Sequence, residues 1–241
     1  MPEHELLILA LTRMRSGICT AGMTLEPDPV TGLRWVRPVR DFDTVLLGDM
    51  TTAAGQLLQC GDVAVLNLLT PRPQPPHVED WVTDFVRVRP RLARRLQGDR
   101  RAQFFAEHLD RAPADVLCEH TRSLCLVQPQ RVWASFTLDP ESNTYEARMG
   151  FELAGDANHP RALATRGVAV TDLKWRALGR VWLGGASSLS LEHAALLERL
   201  SASSLYLAVG LSRNWAGEHW PLVVGVHSVP DFDAVIDPQF L

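Results

Sequence analysis

Lysine is nearly absent from this chain of 241 residues: of its 24 Lys and Arg side chains, only Lys174 is a lysine. Arginine grips a phosphate bidentately and stacks on a base, which suits nucleic acid. Codon use in a G+C-rich genome produces the same bias. A formal net charge of −4 excludes a uniformly basic, histone-like binder. Long apolar runs are missing too, and nothing approaches the roughly 18 residues of a membrane span. Glu3 and Glu5 precede the first apolar run, without a basic leader or a small-residue cleavage site, which predicts no signal peptide. Cysteine is sparse: Cys19, Cys60, Cys118 and Cys125 read as free thiols in a reducing, cytoplasmic setting. Walker, G-x-S-x-G, H-E-x-x-H and deaminase patterns are all absent, so no enzyme is expected.

What is present is short strand-like runs. Residues 6–12, 17–25, 33–39 and 63–69 read as strands, with a helical or loop stretch over 45–59. The segment "TPRPQPPHVEDW" carries four prolines and predicts an extended connector. Over 87–111, Leu92, Leu96, Phe104, Phe105 and Leu109 fall at helical spacing and predict one or two amphipathic helices. Strands are expected again at 122–128, 131–138, 145–153 and 162–170, then a helix near 190–200 and a closing hairpin over 205–229. Without βαβ alternation or a phosphate-binding glycine loop, the fold class is β-rich (all-β or α+β), built of small barrels with inserted helices. The expected division is a first barrel over 1–70, a connector with an Arg-rich helical segment over 71–121, and a second barrel over 122–241.

The two ends of the chain echo each other. Residues 6–25 and 205–230 each run from an apolar strand through Thr12-Arg13 or Ser212-Arg213 and a Gly-containing turn into a second apolar run. Together with "GLRWVRPV", "HVEDW" after the proline run, "VTDLKW" and "HWPLVVGVHSVPDF", these stretches resemble the bacterial dual OB-containing domain family. The resemblance spans nearly the whole chain. It implies two OB-type barrels and nucleic-acid binding in genome-defence or stress settings, and it transfers no catalytic residue. The two hairpins would then be matching parts of related sheets, or a recurrence that any β protein allows.

An OB barrel holds single strands by combining a basic groove with aromatic platforms. The sequence offers Arg13, the run Arg34-Trp35-Val36-Arg37, Arg131 with Trp133, and Arg213 with Trp215. A strand tryptophan is either core or platform, whereas Trp215 sits in a polar turn that favours exposure. The run "RVRPRLARRLQGDRR" sets seven arginines against Asp99, and its Arg87, Arg89, Arg91, Arg94 and Arg95 form either a phosphate-contacting arm or a solvated face. Cys118, His120 and Cys125 lack the paired C-x2-C knuckles of structural zinc, so neither metal nor cofactor is expected. His219 and His227, with Asp231 and Asp233 nearby, would stand about 26 Å apart on an extended strand, too far to share a metal. The sequence therefore points to a cytoplasmic, non-catalytic accessory protein that binds single-stranded or structured DNA or RNA. The alternative is a protein-interaction or sensor module built on the same barrels.

Overall fold

A computed structural model describes residues 3–14, 16–29, 32–154 and 167–236. The first five strands are β1 (Glu3–Met14), β2 (Gly17–Met23), β3 (Trp35–Val39), β4 (Asp62–Pro71) and β5 (Asp80–Thr83). They pair in the order β1-β2-β3-β5-β4, and β4 returns to β1, closing a five-stranded barrel. All contacts are antiparallel except β3 against β5, which run parallel. A 3-10 turn at Leu47–Met50 lies between β3 and β4.

The second barrel follows the same order across two sheets. Its first strand is bent into two arms, β7 (Leu124–Val127) and β8 (Arg131–Leu138). β8 pairs with β9 (Tyr145–Glu152), which pairs with β10 (Val168–Ala169). A parallel bridge at Val170 and Val223 joins that end to β13 (Pro221–Val229). β13 pairs with β12 (Ser204–Leu211), and β12 returns to β7. Helix α3 (Leu173–Leu183), strand β11 (Ser188–Leu191) and helix α4 (His193–Leu200) are inserted before β12.

Side-chain alternation explains why the two barrels fuse. In β1, Leu6, Ile8 and Leu11 fill the first barrel, whereas Leu7, Leu9 and Ala10 face a second core shared with Phe105, Leu126, Tyr206 and Val224. A bulge between Ile8 and Ala10 shifts the alternation, so Leu11 faces inward again. Both faces of the strand are buried, which is why its sequence reads as an unbroken apolar run. On the other side, Leu205, Leu207 and Val209 fill the second barrel while Tyr206 and Ala208 face the shared core.

Backbone contacts tie the seam. His227 Nε2 lies 2.9 Å from the Leu9 carbonyl, and Arg13 N–H donates to the Thr171 carbonyl at 2.9 Å. Asp172, with no exposure, caps α3 by accepting from Trp175 N–H at 3.1 Å and also accepts from Val226 N–H at 2.8 Å. The "VTDLKW" motif is therefore a fold device. Its Trp175 packs against Phe136, Trp182 and Phe232 at ring distances of 5.6, 5.8 and 5.7 Å.

Several expectations change. The stretch read as a connector supplies β5, the last strand of the first barrel, so that barrel does not end at residue 70. Within the Arg-rich segment, Arg91–Arg95 is not helical but forms an added strand, β6, on β4. Edge-strand hydrogen bonds, together with pairs to Glu3, Glu5 and Asp62, outweigh the helical spacing of the apolar residues. Only α1 (Gly98–Glu107), followed by the short α2 (Ala114–Leu117), is helical there. Helix α3 was not expected. Residues 162–166 of the strand expected at 162–170 lie outside the described residues.

The echo of the two hairpins is not structural equivalence. Residues 6–25 form strands one and two of the first barrel, whereas 205–229 form strands four and five of the second. They nevertheless stand against each other across the seam.

Candidate functional site between the two barrels

Where the hairpins meet, a cleft of about 610 Å³ opens between the barrels. Its apolar floor includes Ala10, Ile18, Ala21, Val39, Leu124 and Val224. Arg13, Arg40, Arg72 and Arg213 line it, together with Trp215 and Trp220. In OB terms, the first barrel gives the facing ends of strands one and two, part of the loop after strand three, and the residue that opens its strand four–five loop, Arg72. The second barrel gives its strand four–five loop. The last is a tight hairpin: Trp215 and Glu218 exchange backbone hydrogen bonds at 2.9 and 3.1 Å, and Ala216 and Gly217 both have positive φ, at 53° and 89°. That two-residue geometry matches the right-handed twist of the flanking strands. Trp215 is 62% exposed and Trp220 52%.

Beneath one wall lies a buried charge network. Arg37 Nε sits 3.1 Å from Asp80 Oδ1, Arg37 Nη2 is 3.3 Å from Glu79 Oε2, and Arg37 also donates to Ser123 Oγ. Glu79 accepts in turn from Ser123 N–H at 2.9 Å, Leu124 N–H at 3.1 Å and Ser123 Oγ–H at 2.8 Å. Asp80 Oδ2 accepts from Arg213 Nη2 at 2.8 Å, so a carboxylate of the first barrel fixes an arginine of the second. Two cations thus face two carboxylates. The "HVEDW" and "GLRWVRPV" motifs converge here, which gives Arg37, Glu79 and Asp80 a shared structural reason.

His77 completes the network, with Nδ1 3.0 Å from Arg37 Nη1. Arginine can only donate, so Nδ1 accepts and the ring proton sits on Nε2. Burial, then Arg37, Arg213 and His219, push the His77 pKa down to about 3. The folded state therefore holds the ring neutral, and the unfolded chain takes up a proton below about 6.5. Stability from this group is complete above that value and is lost as pH falls toward 3. Between pH 7.5 and pH 5 the wild type is expected to lose about 2 kcal/mol through His77. His77→Gln should lack this component, which urea midpoints at the two pH values will show; equal losses in both proteins would contradict it.

The expected site residues fall into separate groups. Arg13, Arg213 and Trp215 come together in the cleft. Arg37 lines it from the buried network and is only 4% exposed. Trp35 is a correction: at 5% exposure it packs in the shared core and offers no face to a ligand. Arg34 is half-buried and does not line the cleft. Arg91, Arg94 and Arg95 are ion-paired with Glu3, Glu5 and Asp62, and Arg89 donates to the Gly48 carbonyl. Arg87 lies on the same loop, its N–H bonded to Asp84. Arg131 and Trp133 share a separate depression, where Arg131 meets Glu192 at 4.0 Å and Trp133 presses against Gly150.

Sequence reasoning missed Arg40, Arg72 and Trp220. The only signal for Trp220 was its place in the same polar turn as Trp215; Arg72 lay inside the proline run. Among the described residues, no three His, Cys, Asp or Glu side chains are grouped to hold a metal ion. Cys125 is fully buried in β7, and burial raises its thiol pKa beyond the usual range. No described helix is long and apolar enough to cross a membrane.

One closed barrel with strand order 1-2-3-5-4-1 and a parallel contact between strands three and five, followed by a second set of strands that takes the same order across two sheets bridged at Val170 and Val223, defines a tandem OB-type protein. Barrels of this kind bind oligonucleotides and oligosaccharides on the face of strands two and three and through the loops after strands one and four. The model of the dual OB-containing domain matches residues 4–226, and the chain belongs to that family. Searches of curated proteins and of solved structures find no match.

Proposed function

We propose that the protein binds single-stranded DNA or RNA through the cleft between its barrels, as an accessory factor without catalysis of its own. The observation that carries this reading is the convergence of Arg13, Arg213, Trp215 and Trp220 around an apolar floor. Arginine supplies phosphate contacts and tryptophan supplies stacking faces, the combination that single-strand binders use. A genome-defence or stress setting is part of the proposal and rests on the family alone. The Arg-rich segment is not the phosphate arm in this reading, because Arg91, Arg94 and Arg95 are already neutralised by carboxylates.

Fluorescence anisotropy with single-stranded DNA and RNA at two salt concentrations tests this. Trp215→Ala and Trp220→Ala are each expected to weaken binding by about 1–3 kcal/mol, the range for one lost stack. Both side chains are more than half exposed, so the melting temperature should barely move. Arg13→Gln should reduce the log–log salt slope by about 0.7. Absence of binding to either nucleic acid at low salt would overturn the proposal in favour of a protein-interaction role.

A further inference from the structure

Building on the nucleic-acid reading, we infer that the cleft receives one nucleoside-phosphate unit, either free or at a strand end, and does not track a running strand. Three observations carry this. First, about 610 Å³ lies within the volume range of small-ligand clefts, and the loop at Arg40–Val45 and the hairpin at Ser212–Trp220 both contribute to its lining. Second, the floor is apolar while the arginines stand around it, an arrangement that buries a flat base and leaves its phosphate at the cationic rim. Arg213 donates one Nη2 hydrogen bond to Asp80, which orients the guanidinium and leaves its other N–H groups to reach a phosphate. Arg13 makes no ion pair with a described residue and is exposed. Third, a running strand needs a continuing basic path. Three arginines of the densest run, Arg91, Arg94 and Arg95, instead pair with Glu3, Glu5 and Asp62, and the chain carries a net charge of −4. Much of the charge that would extend a basic path outside the cleft is therefore offset by neighbouring carboxylates.

The test is competition against a labelled octanucleotide by nucleoside monophosphates, the matching nucleosides, unlabelled 5′-phosphorylated linear octamers and a covalently closed circle of the same sequence. The inference expects a monophosphate or a linear end to displace the probe fully, with affinity within about tenfold of the octamer, since one unit makes most contacts. Loss of the phosphate, as the nucleoside, should weaken competition at least about tenfold, and so should Arg13→Gln with the monophosphate. If free nucleotide is the source, the monophosphate competes as well as any oligomer. If strand ends are the source, the linear octamer competes and the circle fails. A circle that competes as well as the linear octamer while the monophosphate fails would overturn the inference and leave the proposed function standing. Failure of the labelled octanucleotide itself to bind would overturn both.

Discussion

Arg37→Ala is expected to destabilise the protein by about 3–5 kcal/mol, the cost of stranding buried charge. Arg37 faces Glu79 and Asp80, which are 1% exposed each, and it is the nearest cation to Glu79. Removing it leaves Glu79 held by Ser123 and the Leu124 amide but electrically uncompensated, and leaves Asp80 with Arg213 alone. Lysine is a poor substitute, because one ammonium cannot reach His77, Glu79, Asp80 and Ser123 as the planar fork does. The contrast is Arg91→Ala. Arg91 and Glu3 form a pair about 60% exposed on both sides, and exposed pairs of this kind contribute about 0–1 kcal/mol. Urea midpoints of the two variants should therefore separate widely. Equal small losses would mean that water reaches the network.

Gly225→Ala is the second large effect. A Cβ on Gly225 would lie 1.9 Å from the Leu9 carbonyl oxygen and 2.9 Å from His227 Nε2. The oxygen belongs to the backbone of β1, where Leu9 is fully buried, so neither side can give way without opening the seam. Overpacking of flexible side chains costs about 1–3 kcal/mol, and a backbone clash belongs at or above the top of that range. Binding should fall with stability, since the cleft takes one wall from each barrel. Gly48→Ala is the matched control: nothing lies within 4 Å of its added Cβ, and its φ is not positive, so little should change. A Gly225→Ala protein as stable as wild type would show that the barrels do not depend on this approach.

The strand runs were legible because most strands bury one or both faces in a fixed register, and that pattern is local. The error over 91–95 arose because Leu92, Leu96, Phe104 and Phe105 keep helical spacing across a strand and a helix; the deciding partner, β4, lies nearly thirty residues earlier. Partners distant in sequence also decided Arg37, whose acids come from the far side of the proline run. Trp35 and Trp215 both stand near arginines in the sequence, but Trp35 belongs to a strand covered on both faces while Trp215 tips a hairpin. The turn residues around Trp215 were the readable difference. The cleft itself could not be read, because it exists only where the end of β1 meets the end of β12, at opposite ends of the chain.

The claim that nucleic acid occupies this cleft is tested most directly by thiol protection. Cys19 lines the cleft and is half-buried, whereas Cys118 is exposed and lies away from it. Cys60 and Cys125 are buried. Burial raises the Cys19 thiol pKa, with Arg37 and Arg213 opposing, so its alkylation should be slow but measurable by peptide mass spectrometry. A saturating single-stranded oligonucleotide is expected to slow modification of Cys19 severalfold and leave that of Cys118 unchanged. Unchanged Cys19 reactivity in a protein demonstrably bound to oligonucleotide would place the ligand elsewhere and contradict the account.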